Sequence, residues 1–249
     1  MELTVEGDLA IVRLQRPHGN AINDELARDL VAACREVERD DALRGILLAA
    51  SGKLFSPGLD LLELVDLDRS TMERFLEDFN ACVLELYRFP KPMVGALHGH
   101  ALAGGCVFSL TADWRVLSEH AMVGLNESRV GVAFPFGVAM ILRESVPVAH
   151  LEEIVLFGRN YTGDEAVRIG LVHEIHAAEG FEAFCLSRLA ELASRDPRAL
   201  SITKRYLRSA AVERIREQAA GFDSEFLDSW FSEGTRQRIG EIVANLRRR

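Results

Sequence analysis

Lysine is almost missing from this chain. Only Lys53, Lys91 and Lys204 stand among 249 residues. Acidic residues outnumber lysine plus arginine by 38 to 29, leaving a formal charge of −9. Proteins that grip a nucleic-acid backbone carry a basic face, so this balance argues against that class. The one basic block, Arg247-Arg248-Arg249, reads as a solvated helix end. Cysteine is also scarce, with Cys34, Cys82, Cys106 and Cys185. None forms a CxxC pair and each lies in an apolar, helix-like context. That argues against a disulfide framework and a cysteine zinc site, and it predicts reduced thiols in a cytoplasmic protein. No apolar run is long enough to span a bilayer. The opening MELTVEGDLAIVRL lacks the basic-then-apolar order of a secretory signal. No stretch is of low complexity.

What is present is an ordinary globular mixture, 48% hydrophobic and 27% charged. The length fits one large domain, or one with a helical appendage. Leu3–Val5 and Leu9–Leu14 predict strands around the turn Glu6-Gly7-Asp8. Asn23 predicts a helix N-cap, with Leu26, Leu30, Cys34 and Val37 at helical spacing as far as Asp40. Gly45–Ala50 reads as a buried strand. Ser70 and Glu73 predict a capping box for a helix carrying Phe75, Phe79, Cys82, Val83 and Leu86. Pro90 and Pro92 end that helix by Phe89. MVGALHG, WRVLS and AMVGL read as short strands. Thr162 and Glu165 predict a second capping box. From Phe181 onward the pattern is helical, with Gly221 and Gly234 as interruptions. The expected division is an α/β core over residues 1–195 and a helical region over 196–249.

Two loops, FSPGLD and LAGGCV, place glycine beside a strand end with a turn or helix following. Glycine lets backbone approach a ligand closely, and amides exposed there can face an anion. Glu127 follows in GLNES. By itself it reads first as a solvated turn acid; only its motif context favours a carboxylate held in a dry place for proton transfer. His98 and His100 read as turn or core histidines, and Asp113 as a tie on the backbone after its helix. Cys106 has no evident base partner. Ser109 and Ser128 lack the setting of a hydrolase nucleophile.

Taken in order, GKLFSPGLDL, ALHGHALAGGCVFSLTADWRVLSE, GLNES and TGDEAVRIGLVHEI resemble the crotonase superfamily of enoyl-CoA hydratases and isomerases. The resemblance implies an α/β crotonase fold of repeated ββα units with a helical C-terminal part. It implies an acyl-CoA substrate, no metal and no redox cofactor. The thioester oxygen would sit between the amides of Leu59 and Gly104, with Ser56, Gly58, Asp60, Gly105, Val107 and Asn126 around the substrate. Lys53 is the expected phosphate contact. Phe231, Arg236 and Arg247 are weaker candidates for the nucleotide.

Family members that hydrate a double bond carry two glutamates, and the first of these positions is Val107 here. Valine neither binds water nor moves a proton. One carboxylate, Glu127, is enough for a Δ3,Δ2 shift of a double bond, and the segment is similar to the mitochondrial-type isomerases. Val123, Leu125, Phe134 and Phe136 are expected beside Glu127. The alternatives are hydration, dienoyl-CoA isomerisation, thioester hydrolysis, or an inactive acyl-CoA-binding scaffold. A homotrimer or dimer of trimers is also implied, with Phe222, Phe226, Leu227, Trp230 and Phe231 compatible with the contact. Membrane and nucleic acid are not expected partners.

Overall fold

The computed structural model describes residues 1–248. Arg249, the last residue of the basic block, lies outside them. In chain order the strands are β1 (Glu2–Glu6), β2 (Leu9–Leu14), β3 (Gly45–Ala50), β4 (Leu54–Ser56) and β5 (Met93–Leu97). Then come β6 (His100–Leu102), β7 (Trp114–Ser118), β8 (Val123–Gly124), β9 (Asn160–Tyr161) and β10 (Glu174–His176). They form a six-stranded sheet, β1-β2-β3-β5-β7-β10, and a four-stranded sheet, β4-β6-β8-β9. Only the outer pairs β1/β2 and β8/β9 are antiparallel.

From β3 to β8 the chain deals strands alternately to the two sheets, so each pair of consecutive strands places one in each. The glycine loops and GLNES follow β4, β6 and β8 respectively. Those three strands are parallel neighbours. The segments therefore emerge side by side at the carboxyl ends of one sheet, the usual place for a ligand in parallel architectures.

β3 is buried at every residue, as its unbroken apolar run predicts. Leu47 and Ala49 face the helix Phe181–Ala193, together with Val94, Ala96, Cys185 and Leu189. Ile46, Leu48 and Ala50 face the main core with Leu30 and Val37 of the helix Asp24–Arg39. Each of the larger side chains, Ile46, Leu48, Leu30 and Val37, contributes about 1.5–3 kcal/mol by its burial. Asn23 caps that helix as expected, accepting from Leu26 N at 3.0 Å.

The helix Arg69–Arg88 is capped differently from the sequence expectation. Asp68 accepts from Thr71 N at 2.7 Å, and Ser70 lies within the helix, donating to Asp68. A carboxylate two positions earlier also satisfies the dipole at that end. Thr162 stands at the expected N-cap but makes no capping hydrogen bond, and Glu165 pairs instead with Arg159.

Gly221 and Gly234 interrupt nothing. The first lies inside the helix Pro197–Trp230 and the second inside Glu233–Leu246. The break falls at Phe231, where Ser232 begins the next helix by accepting from Thr235 N. Phe226, Leu227 and Trp230, whose apolar character suits a partner contact or intrachain packing alike, are buried within the chain, and Phe222 stacks on Phe136.

Asp113 does more than secure local backbone. It accepts from Met93 N at 2.7 Å, Lys204 Nζ at 2.7 Å and an Arg208 Nη at 2.8 Å, pinning the helix Pro197–Trp230 to the sheet. Burial pulls Lys204 down to about 8. Lys91 donates to the carbonyls of Val37, Asp40 and Leu43, closing the end of the helix Asp24–Arg39.

Candidate active site

A cavity of about 220 Å³ opens where the three segments meet. Leu59, Ala103, Gly104, Val107, Asn126 and Glu127 line one part of it. Its walls are apolar: Phe75, Leu76 and Phe79 of the helix Arg69–Arg88, Val138, and Phe226, Trp230 and Ile242 of the last two helices. Among the described residues Glu127 is the only ionisable side chain in the lining.

The Leu59 amide is free for a geometric reason. Ile22 forms a parallel bridge to it, donating from its N–H to Gly58 O at 2.8 Å and accepting from Asp60 N at 2.8 Å. In such a bridge the partner residue's own N–H points away from the bond pair. Gly104 begins the helix Gly104–Leu110, where the first amides have no intrahelical acceptor. Neither amide donates to any of the described residues.

The two donors are neighbours because glycine separates them. A Cβ on Gly58, whose φ is +101°, would stand 2.8 Å from Ala103 Cβ and 3.1 Å from Gly104 N. A Cβ on Gly104 would stand 2.9 Å from Ile22 Cδ1 and 3.7 Å from Leu59 N. Ala103 takes φ 47° and ψ −123°, a strained conformation for a residue with a Cβ. Strain of this kind collects at functional turns.

Glu127 starts the short helix Glu127–Val130 directly after β8. Its carbonyl accepts from Gly131 N and Val132 N, and Gly131 turns left-handed at φ 83°. The last helices hold this turn: Ser229 and Thr235 hydroxyls donate to Gly131 O, and Ser229 Oγ accepts from Ala133 N at 3.1 Å. Glu127 Oε2 is enclosed and has no hydrogen-bond partner among the described residues. Burial raises the carboxyl from its ordinary 4.5 to about 7, partly offset by its own backbone amide. A carboxylate so poised is a good proton acceptor near neutrality.

Of the apolar residues expected near Glu127, one shares the cavity lining with it. Val107 does face the cavity, but Val123, Leu125, Phe134 and Phe136 do not line it. Leu61, Val130, Val132 and Pro135 complete this part of the lining. Ser56, Gly58, Asp60, Gly105 and Lys53, expected around the substrate, are absent from the lining. Ser56 is fully buried and accepts from Gly58 N at 3.2 Å, shaping the loop. Asp60 is buried, caps the helix Leu61–Leu64 and pairs with Arg16. Gly105 packs on β4, where a Cβ would collide with the Ser56 carbonyl.

Lys53 is exposed and outside the cavity. Arg236 donates to Val65 O, and Arg247 lies 3.4 Å from Asp66. Sequence reasoning missed the aromatic wall. The helical stripe Phe75/Phe79 signalled burial, yet nothing in it distinguished a cavity wall from solid core.

The arrangement can bind a flat acyl group against apolar walls, hold a developing oxyanion with two amides, and move a proton at one carboxylate. No helix among the described residues is long and apolar enough to cross a membrane. The same described residues contain no cluster of metal-ligating side chains.

Residues 4–243 match the enoyl-CoA hydratase/isomerase family. The chain is 27% identical to human mitochondrial enoyl-CoA delta isomerase 1 over 213 residues, covering 84% of this chain and 70% of that protein. It is 30% identical to a probable enoyl-CoA hydratase of Rhizobium meliloti over 249 residues, covering 98% and 96%. The crystal structure of human mitochondrial delta3-delta2-enoyl-CoA isomerase superposes with a TM-score of 0.95 at 24% identity, covering 99% and 98% of the two chains. Relatives with both activities thus stand at similar distance. The chain belongs to the enoyl-CoA hydratase/isomerase family and has the crotonase fold.

Proposed function

We propose that this protein is a Δ3,Δ2-enoyl-CoA isomerase. The observation that carries the reading is that, among the described residues, Glu127 is the single ionisable group in the cavity lining, with Val107 in the same lining where a hydratase needs a second acid. The thioester oxygen accepts from the amides of Leu59 and Gly104. Glu127 takes a proton from C2 of a 3-enoyl thioester, and the negative charge spreads onto the oxygen as a dienolate. The protonated Glu127 then returns the proton at C4, leaving the double bond between C2 and C3. Each amide donor is worth about 3–4 kcal/mol in the transition state, by analogy with other oxyanion donors. The scheme has no net redox change and calls on no cofactor.

Turnover of 3-hexenoyl-CoA, compared with hydration of 2-hexenoyl-CoA, tests the reading. We expect fast isomerisation and little hydration. Hydration as the dominant reaction would overturn it, and binding without either reaction would point to a scaffold.

Lys53 is read as a CoA phosphate contact. Among the described residues Lys91 and Lys204 are engaged by protein groups, whereas Lys53 has no ion pair. Weaker CoA binding in Lys53→Ala checks this. We also read the chain as a homotrimer or dimer of trimers. Val148, Leu156 and Phe157, each at least 70% exposed on one segment, support a subunit contact. Light scattering that finds a monomer would exclude it. The four cysteines are buried and unpaired, which supports a reducing, cytoplasmic setting. Fluorescent tagging of the full chain would test that placement.

A further inference from the structure

The oxyanion amide of Leu59 is held from behind by one side chain that never meets the cavity. The bridge between Ile22 and Leu59 is flanked on one strand by Ala21 and on the other by Asp60. A single nitrogen, Arg16 Nη1, donates to both flanks, to Ala21 O at 2.9 Å and to Asp60 Oδ2 at 2.6 Å. Arg16 Nη2 donates to Glu63, three residues beyond Asp60 in the first turn of the helix Leu61–Leu64. The Asp60 carboxylate passes this grip onward, because its other oxygen accepts from Leu62 N and Glu63 N.

Arg16 is itself fixed. Its amide donates to Asn20 Oδ1 at 2.8 Å, and Asn20 Nδ2 donates to Ser51 O and Leu54 O, on either side of the start of β4. The side chain of Asp60 is 1% exposed and that of Arg16 12%. His18 Nδ1 also approaches Asp60, at 3.6 Å. The segment adopts left-handed backbone at both His18 and Asn20, which costs energy in residues with a Cβ and persists only where surroundings impose it.

We propose that Arg16 is a positioning residue for the reaction: its clamp across Ala21 and Asp60 fixes where the Leu59 amide points. A pre-aimed donor acts mainly on the charge that develops in the transition state. Loosening the clamp therefore lowers kcat far more than it raises KM, and leaves the ionisation of Glu127 alone. The inference rests on the oxyanion role given above to Leu59, so the test reads that role separately.

Infrared difference spectra of bound, carbonyl-labelled 2-hexenoyl-CoA report polarisation of the thioester directly. The wild-type carbonyl band moves to lower frequency on binding. In Arg16→Ala the displacement shrinks, kcat for 3-hexenoyl-CoA falls at least tenfold, KM stays within threefold, and the pH midpoint of kcat/KM does not move. Arg16→Lys, able to keep one of the two contacts, falls between. Should Arg16→Ala fail to fold, Arg16→Lys and Asp60→Asn carry the same readings.

An undiminished carbonyl displacement in these variants overturns the proposal, whatever happens to kcat. So does a kcat within twofold of wild type. A wild type with no displacement removes the oxyanion hole and the proposal together. A displacement without isomerisation sinks only the isomerase reading, and the carbonyl band still decides the role of Arg16.

Discussion

Replacing Glu127 by glutamine should inactivate the enzyme and stabilise it. The two side chains have nearly the same shape, so the walls formed by Leu59, Val107 and Val130 need not move. Activity goes because an amide cannot accept the C2 proton, and general-base help is typically worth 10²–10⁴-fold. Stability changes because the carboxylate is costly where it lies. Its carboxyl titrates near 7 in the folded chain against an ordinary 4.5. The folded state therefore holds a proton between those values that the unfolded state has released, and wild-type stability declines as pH rises through that window.

At 1.36 kcal/mol per pH unit, the ceiling on this loss above pH 7 is about 3 kcal/mol. Part of Glu127 remains exposed, and the glutamine amide is still a buried polar group. The expected gain of the variant is then about 1–2 kcal/mol at pH 8, or about 2–8 °C in Tm for a chain of this size. Near pH 4 both proteins carry a neutral group there, and the difference should vanish. Thermal melts at the two pH values, with a 3-hexenoyl-CoA rate assay, measure it. In the wild type, kcat/KM should climb tenfold per pH unit below about 7 and level off above it. Turnover in the variant above a tenth of wild type, or a variant less stable at pH 8 than wild type, would refute the reasoning.

Other perturbations follow from the same geometry. Val107→Glu places a second acid in the lining, and it should produce slow hydration of 2-hexenoyl-CoA, seen as loss of conjugated absorbance; no hydration in a folded variant would mean the cavity excludes the water. Gly105→Ala forces β4 away from the helix Gly104–Leu110, at a cost of about 1–3 kcal/mol for overpacking. Its kcat should fall more than its Tm suggests; a wild-type kcat would show that the amide pair tolerates the shift. Asp113→Ala leaves Lys204 and Arg208 buried without their acid, and urea unfolding should register a loss of about 3–5 kcal/mol.

Much of this was legible beforehand. Gly45–Ala50 is a strand buried on both faces, and its sequence has no polar residue to suggest otherwise. The order of FSPGLD, LAGGCV and GLNES announced three segments that the alternating strands bring together. What was illegible has physical causes. Ser70 and Asp68 are both good caps two residues apart, and residue type alone does not choose between them; Asp68 is the one with extended backbone that accepts from Thr71 N. Gly221 has nothing within 4 Å of its Cβ position, so the surrounding helix absorbs its propensity cost of about 1 kcal/mol. Ser56, Asp60 and Gly105 belong to the right motifs, yet they shape the loops from inside. The aromatic wall comes from helices far apart in sequence, and amphipathic spacing says which side is buried without saying what it borders.

The helix Pro197–Trp230 makes one demand on how this chain can vary. Its 34 residues extend about 50 Å. Lys204 and Arg208 moor one end at Asp113, while Phe226 and Trp230 at the other end face the acyl cavity. Adding or deleting one residue between mooring and wall would swing the far side chains through about 100°, turning both aromatics away from the cavity while every contact at the mooring survived. The spacing between those points is thus a fixed count, like the teeth on a key, and tolerated insertions in this half of the molecule should fall outside it.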